Sequence, residues 1–261
     1  MILDGKKLAA EILARTKTRA LGLPHPPKVV ALIGRESAAT RSYLRIKAAR
    51  ATDAGCTLEV RPYPANFADA DSVIIQLPLA ENLDTKEVLD AIPLAKDADV
   101  LSSAAREKFA RDEEGALLPP VVGAMKEIFE QYEVELRGKR AVVIGRGWLV
   151  GEPAAVWLAQ QGARVTTLDR AAKLGQDLPE ADIIVCGAGS PHLIKPYMLK
   201  EGVVLVDAGT SEQGGALAGD ADPSCVAKCS IFTPVPGGVG PVAVAKLFEN
   251  AVILAEHKVF F

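Results

Sequence analysis

Short runs of β-branched and aliphatic residues alternate with longer amphipathic stretches along most of the chain. Residues 28–33, 58–61 and 72–77 read as strands, and residues 40–54 as a helix between the first two. The alternation stops near residue 102. From 102 to 118 the chain turns polar and then acidic, through Arg111-Asp112-Glu113-Glu114-Gly115, so an irregular connection ending at Pro119-Pro120 is expected there. A long helix is predicted over 121–133. A second alternating series then places strands at 140–144, 165–168, 183–186, 203–207 and 231–232, with a helix over 154–161. These strands carry little polar alternation, which implies sheets covered on both faces, and helical crossovers imply parallel pairing. Apolar residues at 244, 247, 248, 251, 252 and 255 mark a last helical stripe within 242–256. The pattern predicts an α/β protein of two lobes. The first is a parallel-sheet domain over 1–120, onto which a helix at 241–257 packs back. The second is a Rossmann-like domain over 138–240, with a cleft between the two.

Composition narrows the class without changing the picture. The chain has 261 residues, 49% of them apolar and 24% charged, and its formal charge of −3 excludes a disordered, collagenous or strongly nucleic-acid-seeking polypeptide. No apolar run approaches the roughly 18 residues needed to cross a bilayer, so no membrane partner is expected. The start, Met1-Ile2-Leu3-Asp4-Gly5-Lys6-Lys7, is unlike a secretory signal, and a cytoplasmic location is expected. Cys56, Cys186, Cys225 and Cys229 form no CxxC pair, which fits reduced thiols and no metal site.

The first candidate chemistry lies at Gly145-Arg146-Gly147-Trp148-Leu149-Val150-Gly151, between a buried strand and a helix. Gly145 allows the tight turn, Gly147 lets backbone amides approach a pyrophosphate, and the helix N-terminus supplies partial positive charge for the anion. The spacing is GxGxxxG rather than GxGxxG, so a plain strand-to-helix turn competes with a dinucleotide site. Asp169, at the end of the next strand, can accept hydrogen bonds from a ribose 2′-hydroxyl, which favours NAD. Arg146 and Arg170 can both face the same ribose, and a guanidinium suits the 2′-phosphate of NADP. The spacing leaves the choice open. On the 40–54 helix, Tyr43 and Lys47 are four apart and share a face. A ring and an ammonium so placed can line a pocket, or the lysine can run past a half-buried ring into solvent.

In order along nearly the whole chain stand Tyr43-x-x-x-Lys47, Ile75-Gln76-Leu77-Pro78-Leu79, Lys96-Asp97-Ala98-Asp99, the glycine loop continued to Pro153, and Thr233-Pro234-Val235-Pro236-Gly237-Gly238-Val239-Gly240-Pro241. Together these resemble the bifunctional methylenetetrahydrofolate dehydrogenase/methenyltetrahydrofolate cyclohydrolase family. The resemblance implies oxidation of 5,10-methylenetetrahydrofolate by a nicotinamide dinucleotide, then hydrolysis of the methenyl cation to 10-formyltetrahydrofolate. It makes Lys47 the acid–base group of hydrolysis. A free lysine titrates at about 10.4, so that role calls for burial that favours the neutral amine. Gln76 becomes its neutral partner, Tyr43 the ring against the folate, and Asp99 the carboxylate that accepts from the pterin edge. Leu77, Pro78, Pro236, Gly237 and Gly238 would complete the substrate contacts. Val150, Gly151, Gly209 and Thr210 would join Gly145, Arg146, Gly147, Asp169 and Arg170 around the nucleotide. NADP is the family's usual cofactor, with NAD admitted by Asp169, and a homodimer is the expected assembly.

The chain also departs from the family pattern. Leu118-Pro119-Pro120-Val121 stands where PCTP is usual, Gly147 replaces a serine, Asp97-Ala98-Asp99-Val100 replaces DVDG, and Val242-Ala243 replaces a methionine and a threonine. The stretch from Leu58 to Gln76 is short for the helix usually found there. These losses bear on cofactor and pterin contacts more than on the proton-transfer pair, so an altered cofactor preference or a weaker dehydrogenase is the expected consequence. Two other readings compete: a shikimate-type two-lobed dehydrogenase, against which the 233–241 loop argues, and a non-catalytic binder of folate or dinucleotide.

Overall fold

A computed structural model describes residues 1–169, 174–213 and 216–260. The chain forms two compact units, one of residues 9–120 and 244–261, the other of residues 1–8 and 121–243.

Helix α1 (Gly5–Ala20) begins in the second of these units and continues into the first. Asp4 accepts from the Lys7 backbone N–H at its start, and Leu8, Ile12 and Leu13 are buried. Strand β1 (Lys28–Ile33), helix α2 (Ala38–Asp53), β2 (Thr57–Pro62) and β3 (Ser72–Gln76) follow, and the three strands pair in the order β2-β1-β3, all parallel. Ser37 caps α2 by accepting from the Thr40 N–H, and Gly55, at φ +75°, carries the chain out of it. β3 is buried at every residue and β1 at its four middle residues, whereas β2 is largely exposed, so only β1 and β3 keep the unbroken apolar character that parallel pairing favours. No helix occupies 63–71, as the short spacing there implied.

Two short helices complete this unit, α3 (Thr85–Asp90), capped by Asp84, and α4 (Ser103–Ala110), capped by Ser102. The irregular connection expected over 102–118 is therefore half wrong: residues 103–110 are helical. Ser102 accepts from the Ala105 N–H, and only Ala105 and Phe109 are buried, so the helix shows little apolar stripe. The later part of the last helix belongs to the same unit. Asn250 donates to the carbonyls of Ala98 and Leu118, and Lys258 pairs with the buried Asp71.

The other unit opens with α5 (Pro120–Gln131), then β4 (Arg140–Ile144), α6 (Gly151–Gln160), β5 (Arg164–Leu168), the single turn α7 (Leu174–Asp177), β6 (Ile183–Cys186) and β7 (Val203–Asp207). A hairpin of β8 (Ser211–Gln213) and β9 (Ala216–Ala218) precedes β10 (Cys229–Phe232) and α8 (Val239–Phe260). Five parallel strands run in the order β10-β7-β6-β4-β5. Strand order reverses at β4, whose neighbours are the next strand on one side and the one after it on the other. In such sheets a crevice opens beyond the strand's carboxyl end at that point. The N-terminus joins the far edge, where Ile2 bridges Phe232 and the Leu3 N–H donates to its carbonyl. Strand β10 starts two residues before the pattern predicts and α6 three, since Gly151 and Pro153 begin the helix without an apolar stripe. All four cysteines are free and buried.

Candidate active site

In the unit built on the three-stranded sheet, α2 presents Thr40, Leu44, Ala51 and Ala54 to the interior. Lys47 lies on that same face, between Leu44 and Ala51, and is half-buried, while Tyr43 and Ile46 beside it are exposed. The buried amine expected from sequence is a half-buried one: the spacing 40, 44, 47, 51, 54 keeps Lys47 within the buried stripe, so its partial exposure comes from what covers α2 at that turn and not from its place on the helix. Its ammonium donates to Gln76 Oε1 at 3.1 Å. Gln76, buried at the carboxyl end of β3, spends its own amide N–H on the Leu77 carbonyl at 2.9 Å. That second bond fixes which end of the amide faces the lysine. Pro78 follows in a cis peptide and is exposed.

Asp99 completes the group. Loss of solvent raises its carboxyl to about 6, the Lys47 charge opposes this, and Asp97 adds to it. The carboxyl is ionised above that pH and an acceptor for N–H groups. Asp97 itself is buried and accepts from the backbone of Leu101 and Ser102, pinning the turn that follows. Inside this turn Val100 is buried with φ +57°. A β-branched residue in the left-handed region is strained, and the strain sits one residue from Asp99.

In the other unit, β4 leads directly into the glycine loop. Gly145 has φ +101°, and a Cβ there would stand 2.7 Å from the Gly187 carbonyl oxygen. A Cβ on Gly151 would meet the Gly145 carbonyl at 2.0 Å, so both ends of the loop require glycine. Gly147 has nothing within 4 Å of its missing side chain and leaves the loop open to a ligand. Helix α6 has no side-chain cap at Val150, but Pro153 lacks an N–H and the Glu152 and Ala154 N–H groups donate to the Gly147 and Val150 carbonyls, so its start offers an anion the Gly151 N–H and the helix dipole, the latter tempered by Glu152. The Arg146 guanidinium donates to the Thr167 carbonyl at 3.2 Å, against the end of β5. Asp169 follows that strand end and is exposed. Arg170 lies outside the described residues. An open glycine, a helix start without a side-chain cap and a switch-point location together fit a dinucleotide.

Two further loops flank this one in the same unit. Gly209 is buried and donates to Asp207 Oδ1, and Thr210 next to it is exposed. The Thr233 hydroxyl accepts from the Asp207 N–H at 2.7 Å, which ties the start of the 233–241 loop to the end of β7. Gly238 donates to the Pro234 carbonyl at 2.7 Å, closing a tight turn around Pro236 and Gly237. Gly5, which sequence reasoning did not single out, holds this turn from below: a Cβ there would stand 1.9 Å from the Gly238 carbonyl oxygen. Asp97 stood in a motif quoted for its neighbour, and Asp220, described below, carried no local signal at all.

Residues 119–259 match the family model described as tetrahydrofolate dehydrogenase/cyclohydrolase, NAD(P)-binding domain, and residues 3–99 match that of the catalytic domain. The bifunctional protein FolD of Nitrosospira multiformis is 35% identical over 287 residues, covering 98% of this chain and 96% of that protein. A crystal structure of the bifunctional FolD enzyme from Campylobacter jejuni superposes with a TM-score of 0.93 at 30% identity, covering 99% of each chain. The Trypanosoma brucei enzyme, solved with NADP cofactor and inhibitor, gives a TM-score of 0.93 at 28% identity, covering 100% of this chain and 99% of that one.

Proposed function

The chain belongs to the tetrahydrofolate dehydrogenase/cyclohydrolase family, and we propose that Lys47, oriented by Gln76, is the acid–base group of its hydrolytic half-reaction. It is an enzyme with both activities of that family: it oxidises 5,10-methylenetetrahydrofolate to the methenyl cation and hydrolyses the cation to 10-formyltetrahydrofolate. The Lys47 Nζ to Gln76 Oε1 contact of 3.1 Å carries the reading. In hydrolysis water adds to the bridging carbon, its bond to N5 breaks, and one proton is released overall. The Lys47 amine takes a proton from the attacking water and passes one to N5 as it leaves. A carboxylate in place of Gln76 would hold the lysine in its charged form. The neutral amide positions the amine without that penalty.

Tyr43 and Ile46, exposed beside Lys47, offer an apolar seat for the folate, and ionised Asp99 accepts from the amino and ring N–H edge of the pterin. Leu77 and Pro78 border that seat. A bound nicotinamide would supply the hydride acceptor for the one-carbon bridge. The chain's share of this step is positioning: Gly145, Gly147 and the start of α6 receive the pyrophosphate, and Pro236, Gly237 and Gly238 serve as further substrate contacts. We propose NADP as the working nucleotide, supported by Arg146 at the ribose end of the site. Asp169 at the same strand end supports NAD as the competitor, and the ratio of the two kcat/KM values decides between them. The two matched family domains favour this reading over a shikimate-type dehydrogenase or a binder without turnover. The assembly proposed is a homodimer and the compartment the cytoplasm. No helix among the described residues is long and apolar enough to cross a membrane.

The test is Lys47→Ala, followed by the loss of methenyl absorbance without nucleotide and by nucleotide titration. Hydrolysis is expected to fall by about 10²- to 10⁴-fold, the usual share of a general acid–base group. Nucleotide affinity should be unchanged, since the dinucleotide loop belongs to the other unit. Hydrolysis within a few-fold of the unsubstituted enzyme would remove Lys47 from the mechanism.

A further inference from the structure

Behind the dinucleotide loop lie two buried carboxylates, Asp207 at the end of β7 and Asp220 beyond β9. With Cys186 Sγ their oxygens lie within 4.8 Å of one another. A metal site is the first thought, and the hydrogen bonds argue against it. Asp220 Oδ2 accepts from the Ala188 and Gly189 N–H groups at 2.6 and 3.2 Å, and its Oδ1 from Ser190 at 2.7 Å. Asp207 Oδ1 accepts from Gly209 and its Oδ2 from Ala221, at 2.9 and 2.8 Å. Every carboxylate oxygen is thus turned to backbone donors. The Cys186 thiol is pushed well up by burial and donates weakly to the Val206 carbonyl, so it offers no thiolate.

The same contacts describe a scaffold. Three successive amides, 188 to 190, wrap one carboxylate, as a backbone nest wraps an anion. The nest is pinned again where the His192 N–H donates to the Gly219 carbonyl at 3.0 Å. Its leading residue, Gly187, donates to the Ile144 carbonyl and presents its own carbonyl to the Cα of Gly145. A Cβ on Gly187 would also strike the Val150 side chain at 2.5 Å. On the other side, a Cβ on Gly209 would stand 2.3 Å from the Asp220 carboxylate. Asp220 therefore bears on the loops after β6 and β7, and through Gly187 on both ends of the glycine loop.

We propose that Asp220 is a positioning residue for dinucleotide binding, holding the 187–190 loop against Gly145 and Val150 so that the glycine loop keeps the shape the pyrophosphate needs. This rests on the assignment of the glycine loop to the nucleotide. Asp220→Asn keeps the shape but replaces one acceptor oxygen by a donor facing backbone N–H groups. It should raise the KM for the nucleotide about tenfold or more, as expected for a lost charge-assisted bond to a buried donor, with little change in kcat. Hydrolysis of methenyltetrahydrofolate without nucleotide should stay within about twofold, because the Lys47 group lies in the other unit. Asp222→Asn is the control for mere folding. That carboxylate caps the turn at 223–227 and pairs with Lys195, and it accepts from neither the 188–190 amides nor Gly209, so its loss should lower the melting temperature and leave the nucleotide KM alone.

If Asp220→Asn does not fold, Gly189→Ala serves instead. Its Cβ would have open space, but at φ +63° the substitution strains the nest, and a rise in nucleotide KM of about threefold to fivefold is expected. The proposal fails if these variants lower stability while leaving the nucleotide KM unchanged, or if they depress both activities equally. Failure of the unsubstituted enzyme to bind NAD or NADP would instead overturn the assignment of the loop itself.

Discussion

Gln76→Glu places a negative oxygen where a neutral one now faces the Lys47 ammonium at 3.1 Å. Coulomb's law at that separation gives about 5 kcal/mol at an effective dielectric of 20 and about 1 kcal/mol in bulk water. Lys47 is half-buried, so a value of about 1.5–3 kcal/mol in favour of the charged lysine is appropriate. The second glutamate oxygen would face the Leu77 carbonyl in place of the present 2.9 Å amide bond, a cost of about 1 kcal/mol that falls on stability and is the same for either state of the lysine. The preference for the charged lysine corresponds to roughly a ten- to hundredfold fall in the neutral amine at fixed pH. Hydrolysis of methenyltetrahydrofolate, followed by absorbance without nucleotide from about pH 6 to 9 and corrected for the buffer reaction, should therefore fall about tenfold or more near neutrality. The deficit should close as pH rises. Gln76→Leu separates charge from orientation: it should lower the rate across the whole range with no displacement of the profile. A Gln76→Glu profile that coincides with that of the unsubstituted enzyme would refute the reasoning, since a charge at this distance from the working amine could not pass unnoticed.

Two further outcomes follow from the same region. The Asp99 carboxyl titrates at about 6, raised above its ordinary value, so it is ionised above that pH and protonated below it. If the carboxylate accepts from the pterin edge, the KM for methylenetetrahydrofolate should rise as pH falls through about 6, and Asp99→Asn should abolish that inflection. Persistence of the inflection in the variant would assign it elsewhere. Val100, buried at φ +57°, holds strain that glycine would release, at about 1–2 kcal/mol, against the loss of its buried side chain at about 1.5–3 kcal/mol. Val100→Ala loses the packing and keeps most of the strain, so chemical denaturation should find Val100→Ala less stable than Val100→Gly, the reverse of the usual order. A normal order would mean that the turn relaxes away from the left-handed conformation.

Both parallel sheets could be read from the chain because their strands are short apolar runs spaced by helical crossovers, and the glycine loop could be read because its requirement for glycine is local. The polar helix α4 escaped, since one serine cap and two buried residues leave almost no periodic signal. Within the candidate site, Tyr43 and Lys47 were legible as a pair on one helix face, and the motif resemblance named Gln76 and Asp99. The half-burial of Lys47 was not legible, because its place within the buried stripe of α2 predicts burial and only the packing over that turn leaves it partly open.

Periodicity, caps and turn residues act over a few positions, where backbone geometry fixes the outcome, and to that extent the sequence alone determined the strands of the two parallel sheets, helices α2, α5, α6 and α8 and the kinds of side chain available for chemistry, while α1, α3, α4 and the β8–β9 pair were not read from it. Only the tertiary structure decided that the Lys47 ammonium meets a glutamine 29 residues away, that Gly5 lies beneath Gly238, and that Asp220 collects the amides of a loop 30 residues earlier. Such contacts form between segments that packing brings together, and nothing in the local preferences of either partner encodes the other.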